Sequence, residues 1–178
     1  ALCEAAAEGQ VLACANFNCP GQVVLSGQAD ACRRAERMAR DFGASGAVPL
    51  KVAGAFHSEL MAPAAETLAG ALRDVAFRDP PGPAGAAAFA SPATRVVANV
   101  DARPYAAAAE VQDRLLAQLV RPVRWQQCCE LLLAEGVETF YEIGPGRVLA
   151  GLMRRIHRKA KVTCVGGVQA IEELTCGG

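Results

Sequence analysis

Short apolar runs alternate with amphipathic stretches along most of the chain. Apolar runs bounded by Gly, Pro, Asn or charged residues are typical of strands, whereas apolar residues that recur every three or four positions indicate helices. The pattern predicts strands at residues 11–17, 22–25, 48–53, 95–100, 139–143 and 162–165. It predicts helices at residues 1–8, 31–42, 58–75, 110–119, 122–133, 147–158 and 168–174. Because strands alternate with helices, the predicted fold class is α/β, with a parallel sheet covered by helices on both faces.

The first 53 residues differ in pattern from the rest of the chain. Their order is helix, strand, strand, helix, strand, which corresponds to a ferredoxin-like βαββαβ unit that lacks its first strand. We therefore expect an incomplete ferredoxin-like α+β subdomain at residues 1–53 and a second part with the parallel sheet at residues 54–178. Residues 79–94 hold four prolines and two glycines, which predicts a surface loop.

Composition limits the classes of function. Lys and Arg together number 18, as do Asp and Glu, so the formal net charge is zero and broad nucleic-acid binding is not indicated. Gly, Pro or a charged residue interrupts every apolar run before it reaches the length of a membrane span. No basic-then-apolar leader follows Ala1. We expect a cytoplasmic protein that binds neither membranes nor nucleic acid.

The chain contains eight cysteines and two histidines. No two cysteines form a Cys-x-x-Cys pair, so reduced thiols are favoured over a disulfide framework or a metal site. Cys32, Cys128 and Cys129 fall inside helical patterns, where a free thiol packs as a small apolar residue. We expect no metal.

His57 lies where the predicted strand at residues 48–53 gives way to a helix. The active sites of α/β enzymes lie at such junctions, and imidazole is the side chain most easily poised as a base near neutral pH. The alternative is a histidine that merely caps the helix. Ser58 follows as the first predicted helical residue, and we expect it to be the N-cap.

Five segments, taken in chain order, resemble the malonyl-CoA:acyl-carrier-protein transacylases and the acyltransferase domains of fatty-acid and polyketide synthases. They are NFNCPGQVVLSG at 16–27, AFHS at 55–58, NVDA at 99–102, QLVRPVRW at 118–125 and EIGPG at 142–146. The resemblance covers nearly the whole chain. It implies that residues 54–178 are the C-terminal part of a hydrolase-like large acyltransferase domain, into which the ferredoxin-like subdomain is inserted.

The resemblance also implies a reaction. In this family a serine attacks the malonyl thioester of malonyl-CoA, a histidine takes the serine proton, and the acyl group passes to the phosphopantetheine thiol of acyl-carrier protein. No cofactor is needed beyond these substrates. His57 matches the histidine, and Gln118 matches the residue whose backbone carbonyl orients the ring. From the residues alone, Gln118 is also consistent with an exposed glutamine that ends a helix.

Four further residues match positions at the substrate cleft of the family. Asn16 and Asn18 are expected to flank the acyl or pantetheine path, with ordinary turn chemistry as the alternative. Asn99, at the end of a predicted strand, is expected to face the cleft. Phe56 matches a position at which Phe accompanies malonyl rather than methylmalonyl loading, because the ring occupies the space of an α-methyl. Core packing is its alternative.

The family's nucleophile, in Gly-His-Ser-x-Gly, has no counterpart here. None of the four serines, Ser26, Ser45, Ser58 and Ser91, lies in that motif. The resemblance therefore implies a C-terminal fragment that supplies the base without the serine and is inactive alone. An excised polyketide-synthase acyltransferase domain and a non-catalytic module that binds carrier protein are the other hypotheses.

One stretch concentrates positive charge and is called the basic cluster below. It comprises Arg154, Arg155, His157, Arg158, Lys159 and Lys161. It is either a docking surface for an acidic carrier protein or a solvated helix end that favours cations.

Overall fold

The computed structural model describes residues 1–78 and 95–176, so the surface loop predicted at residues 79–94 lies outside the described residues. The helices are α1 Leu2–Ala7, α2 Ala29–Met38, α3 Ala62–Leu72, α4 Val111–Val120, α5 Trp125–Ala134, α6 Val148–Ile156 and α7 Val168–Cys176. The strands are β1 Leu12–Cys19, β2 Gln22–Gly27, β3 Val97–Ala98, β4 Arg103–Pro104, β5 Thr139–Ile143 and β6 Lys161–Val165. The mixed α/β class is confirmed.

The first four predicted elements form in the predicted order. β1 and β2 pair as an antiparallel hairpin, with Cys19 opposite Gln22 across the turn. Gly21 occupies this turn with φ 74°, a conformation that glycine adopts without steric cost. Behind the hairpin, Arg34 of α2 donates from Nε and Nη2 to the carbonyls of Ala6 and Ala7, each at 2.8 Å. These bonds satisfy carbonyls that the end of α1 leaves without helical partners.

The prediction of a strand at residues 48–53 is wrong. The segment has no regular secondary structure, and Val48, Leu50 and Val52 remain 82%, 61% and 67% exposed. A strand is stabilised by ladder bonds and by packing of one face, and within the described residues no strand pairs with this segment. Alternating apolar residues were therefore insufficient to specify a strand here.

The later part of the chain contains a βαβ unit. β5 and β6 pair in parallel from Thr139 opposite Lys161 to Ile143 opposite Val165, with α6 between them in sequence. The predicted strands and helix are thus confirmed within a few residues. Among the strands that the structure describes, β5 and β6 are the parallel pair, while β3 and β4 form a short antiparallel pair.

The segment before α5 joins the two parts of the chain. We predicted that a helix begins at Pro122, but α5 begins at Trp125. Val123 is extended instead: its N–H donates to Ala15 O at 2.8 Å, and its carbonyl accepts from Phe17 N at 2.9 Å. The parallel bridge between Asn16 and Val123 follows from these bonds. Pairing with β1 outweighs the helical preference of the first residues.

A small core lies beside this junction. Ala98, Val100 and Tyr105 are buried together, and Val111 and Ala117 of α4 pack against them. The strand predicted at residues 95–100 is reduced to β3, because the chain turns at residues 99–102. In the part of the chain that the structure describes, no helix has both the length and the apolar character needed to cross a membrane.

Candidate active site

His57 caps the C-terminal end of α4. Its backbone N–H donates to Leu119 O at 3.0 Å, and its ring Nδ1 lies 2.7 Å from Gln118 O. Both acceptors are among the last four carbonyls of a helix, which have no intrahelical partner. A carbonyl oxygen only accepts hydrogen bonds, so the proton of the neutral ring is on Nδ1 and the lone pair is on Nε2. This is the tautomer that can take a proton at Nε2.

The end of α4 is itself held by the Gln118 side chain. Its Nε2 donates to Arg121 O at 3.1 Å and to Pro122 O at 3.4 Å, which fixes the chain that leaves the helix. The negative end of the helix dipole also favours a positive charge beside it. The His57 ring therefore lies at the negative end of the α4 dipole, with Nδ1 directed at a backbone carbonyl.

Ser58 is almost completely buried, with 1% of its surface exposed. It stands at the N-cap position of the 3-10 turn Glu59–Met61, as predicted, but its side chain makes no cap bond. The hydroxyl donates instead to Ala55 O at 2.6 Å. Because Ala55 precedes it by three residues, this bond closes the turn that contains His57.

A cavity of about 510 Å³ opens beside the imidazole. It lies between the start of β1, the end of α4 and the turn after His57. Its lining residues are Gly9, Gln10, Val11, Leu12, Ala13, Cys14, His57, Ser58, Glu59, Val120 and Pro122. The cavity leaves room for a reacting group next to His57, and the presence of Cys14 among its lining residues was not anticipated from the sequence.

The four residues predicted at the substrate cleft lie in the β1–β2 hairpin, in the turn that holds His57 and just after β3. Asn16 pairs with Val24 in the hairpin, and Asn18 is half-buried on the same strand. The Asn99 carbonyl accepts from Arg124 N at 2.8 Å. None of the four, Asn16, Asn18, Asn99 and Phe56, is among the described residues that line the His57 cavity.

Phe56 projects from the same turn as His57 and is 44% exposed. Its ring lies alongside Gly54, where a β-carbon would meet the ring at 3.6 Å and the Met61 sulfur at 3.8 Å. The structure therefore brings His57 and Gln118 together, and it leaves Phe56, the residue before His57, accessible from solvent.

Two thiols in α5 are buried beside the Asn99 turn. Burial raises the pKa of Cys128 to about 11 and that of Cys129 to about 12. The Cys128 thiol makes weak contacts of 3.7 Å with Ala98 O and 3.6 Å with Asn99 Oδ1. The seven cysteines whose side chains the structure describes are free, and no described group of His, Cys, Asp and Glu side chains is arranged to hold a metal ion.

Glu142 has a role that the sequence analysis missed. Its carboxylate accepts from Leu149 N at 2.9 Å and from Ala150 N at 2.8 Å, so it caps α6 from the preceding strand. These two N–H donors lower the pKa of Glu142 below its ordinary value of 4.5. An acidic residue shortly before a predicted helix is the signal that would have indicated the cap.

Part of the basic cluster surrounds a second cavity. This cavity, of about 580 Å³, is lined by Pro20, Gly151, Arg154, Arg155 and Arg158. Arg155 is fixed there, because it donates to Gln22 Oε1 at 2.7 Å and to Pro20 O at 3.0 Å. The basic cluster thus connects α6 to the tip of the hairpin.

The chain is similar in sequence to known proteins of one family. No protein-family model matches the chain. The malonyl CoA-acyl carrier protein transacylase of Bacillus subtilis (strain 168) is 41% identical over 165 residues, which is 93% of the chain and 48% of the relative. The protein of that name from Escherichia coli (strain K12) is 43% identical over 154 residues, covering 86% of the chain and 46% of the relative. The chain belongs to this transacylase family. It spans about half the length of the curated relatives that it matches.

Solved structures agree with the transacylase family. The acyl carrier protein S-malonyltransferase of Vibrio cholerae O1 biovar eltor superposes with a TM-score of 0.85 at 38% identity, over 97% of the chain and 53% of that protein. A malonyl-transacylase in complex with its type II PKS acyl-carrier protein gives a TM-score of 0.86 at 36% identity, over 99% of the chain and 53% of that protein. The fold described above is therefore about half of the fold of these transferases.

Proposed function

We propose that this chain supplies the general base for transfer of a malonyl group from malonyl-CoA to the phosphopantetheine thiol of acyl-carrier protein. The observation that carries the proposal is the 2.7 Å contact between His57 Nδ1 and Gln118 O, beside a cavity of about 510 Å³. The homology to proteins named for malonyl transfer selects the substrates. The reaction needs no cofactor, because both half-reactions are acyl transfers between a thiol and a hydroxyl.

The proposed relay begins when His57 Nε2 takes the proton of a serine hydroxyl as its oxygen attacks the malonyl thioester. The imidazolium then gives this proton to the departing thiolate of coenzyme A, which leaves an acyl-serine. In the second half, Nε2 takes the proton of the carrier-protein thiol as its sulfur attacks the ester, and the serine oxygen recovers it on leaving. Throughout, Nδ1–H stays on Gln118 O, so the ring keeps its orientation.

Gly-His-Ser-x-Gly is absent from the 178 residues. The proposed serine therefore belongs to the part of the transacylase that is not represented in this sequence. The exposed face of β5 supports the proposal that further polypeptide packs against this strand. Tyr141 and Ile143 are 56% and 83% exposed, although parallel strands are normally covered on both faces. We assign residues 54–178 to the C-terminal part of a hydrolase-like large domain, and the other part of that domain would cover this face.

The finer assignment of residues 1–53 as a ferredoxin-like subdomain remains part of the proposal. The order α1, β1, β2, α2 supports it. The segment expected to be its last strand, residues 48–53, has no regular secondary structure and pairs with no described strand. In a βαββαβ unit the fourth strand pairs with the first, so the unpaired segment agrees with a unit that lacks its first strand.

We further propose that carrier protein docks on the basic cluster. Its arginines surround an open cavity next to the hairpin tip, and an acidic partner would be attracted to this charge. A solvated helix end remains the alternative. Malonyl-CoA and acyl-carrier protein are the proposed partners, in the cytoplasm, and fatty-acid synthesis or a type II polyketide synthase is the proposed pathway.

Phe56, Asn16, Asn18 and Asn99 are the proposed substrate-binding residues. Phe56 directly precedes the proposed base in sequence and is 44% exposed, which suits a role in excluding an α-methyl group. Asn16 and Asn99 lie at the junction between the hairpin and α5, and Asn18 lies further along β1. They are therefore candidates for contacts with the pantetheine arm rather than with the malonyl group.

A chimera tests the function. It joins the part of the Bacillus subtilis relative that precedes the matched region to Ala1 of this chain. With malonyl-CoA and holo carrier protein, the chimera is expected to transfer malonyl, whereas the 178-residue chain alone is not, because catalytic residues of such relays act as a unit. A folded chimera that binds carrier protein without transferring malonyl would instead favour the non-catalytic module. Transfer by the chain alone would contradict the proposed division of the site.

A further inference from the structure

The turn that presents His57 is closed by a buried hydroxyl. Ser58 Oγ donates to Ala55 O at 2.6 Å, and only 1% of Ser58 is exposed. The side chain does not cap the following turn, although it occupies the N-cap position. A buried hydroxyl is normally retained for the bond that it makes. In this case the bond spans the residue whose position matters most for the proposed chemistry.

His57 itself has an unfavourable backbone. Its φ is 62°, in the left-handed region that residues with a β-carbon rarely adopt. Such a conformation persists only when the surrounding structure fixes it. Three contacts do so: the Ser58–Ala55 bond, the bond from His57 N to Leu119 O at 3.0 Å, and the ring contact with Gln118 O.

We propose that Ser58 is a positioning residue for His57. Its hydroxyl holds the 55–58 turn closed, and the closed turn directs Nδ1 at the Gln118 carbonyl. Without the hydroxyl, the turn can relax towards ordinary negative φ, which carries the imidazole away from α4. The importance of Ser58 for turnover rests on the proposed function, but its effect on the ring does not.

The tautomer of the neutral His57 ring reports this positioning directly. Nitrogen-15 NMR of the labelled 178-residue chain distinguishes Nδ1–H from Nε2–H. The chain has two histidines, and His157 is exposed at the end of α6, so it serves as an internal reference. A purely structural role for Ser58 would change the stability of the fold and leave this tautomer ratio unchanged.

In Ser58→Ala we expect the ratio of the Nδ1–H to the Nε2–H form of His57 to fall by about fivefold to tenfold, as loss of one hydrogen bond implies. Ser58→Thr retains the hydroxyl and should stay within about twofold of the wild-type ratio. Ser26→Ala, a serine of β2 outside the turn, is the matched control and should leave the ratio unchanged. His157 should be unaffected in all three variants.

An unchanged His57 ratio in folded Ser58→Ala overturns the proposal, as does an equal fall in the Ser26→Ala control. If Ser58→Ala does not fold, Ser58→Cys decides, since a thiol fills the same space and is a weaker donor. Its ratio should fall by at least about twofold, and an unchanged ratio again overturns the proposal. Because no turnover is measured, failure here is distinct from failure of the chimera to transfer malonyl.

Discussion

His57 Nδ1 and the main-chain oxygen of Gln118 lie 2.7 Å apart, across 61 positions of sequence. The acceptor is a helix-terminal carbonyl, so the ring is oriented by the backbone instead of by a carboxylate. The contact uses the main chain at position 118, and the Gln118 side chain contributes only by holding the chain that leaves α4. This leads to a specific expectation for substitutions at that position.

Gln118→Ala should retain activity within about tenfold in the chimera. The substitution keeps the carbonyl and removes the Nε2 bonds to Arg121 O and Pro122 O, together with a 3.5 Å contact between Nε2 and His57 Nδ1. A net hydrogen bond contributes about 1 kcal/mol. Values of kcat/KM for malonyl transfer provide the measurement. A loss as large as that expected for removing the base would mean that the glutamine side chain takes part in the chemistry.

Phe56→Ser should raise the ratio of kcat/KM for methylmalonyl to that for malonyl by about tenfold in the chimera, because one methylene in a pocket contributes about 1–3 kcal/mol. The two thioesters are supplied in competition, and mass spectrometry reads the acyl-serine. Phe42→Ser is the matched control, since Phe42 and Phe56 are both 44% exposed. If both variants behave alike, Phe56 does not exclude the methyl group.

Glu142→Gln should make the fold less sensitive to acid. The folded-state pKa of Glu142 is lowered from 4.5 by the N–H groups of Ala150 and Leu149. Its stabilising contribution is therefore complete above that ordinary value and is lost as the pH falls through the lower folded-state pKa. Urea midpoints for wild type and variant, taken at about pH 6 and about pH 3.5, should differ more at the higher pH. A gap that widens on acidification, or an equal effect in Glu36→Gln, would contradict the cap.

Cys128 and Cys129 should resist alkylation in the native chain. Their pKa values of about 11 and 12, against an ordinary 9.0, leave at least about a hundredfold less reactive thiolate at mildly alkaline pH. Iodoacetamide labelling followed by peptide mass mapping compares them with Cys14, which lines the His57 cavity. In denaturant all three should react alike. Equal native rates would show that α5 opens readily.

The elements stabilised by local pattern were predictable from the sequence. β5, α6 and β6 combine apolar strands with an amphipathic helix, and their bounds were predicted to within a few residues. Residues 48–53 show the limit of this reasoning. An alternating apolar pattern specifies a strand only where a neighbour supplies ladder bonds, and the sequence of the segment carries no information about its neighbour.

The site was predictable only in part for a related reason. The motif around His57 identified the ring and the matching position Gln118, but not the positive φ of His57. That conformation depends on the bond from His57 N to Leu119 O, which joins residues distant in sequence. It also depends on the bond from the Ser58 hydroxyl to Ala55 O, whose acceptor is a backbone group. The helix start predicted at Pro122 was wrong for the same reason: Val123 pairs with β1, which is distant in sequence, and α5 begins only at Trp125.

The central claim is that His57 is the general base, and its removal in the chimera tests this most directly. His57→Ala should lower kcat for malonyl transfer by about a thousandfold or more, as loss of the base in such dyads does, without a comparable change in the thermal unfolding midpoint. His157→Ala removes the other histidine, at the exposed end of α6. Because His157 belongs to the proposed docking surface, the substitution should act on the KM for carrier protein and leave kcat unchanged. Near-normal turnover in folded His57→Ala would contradict the account.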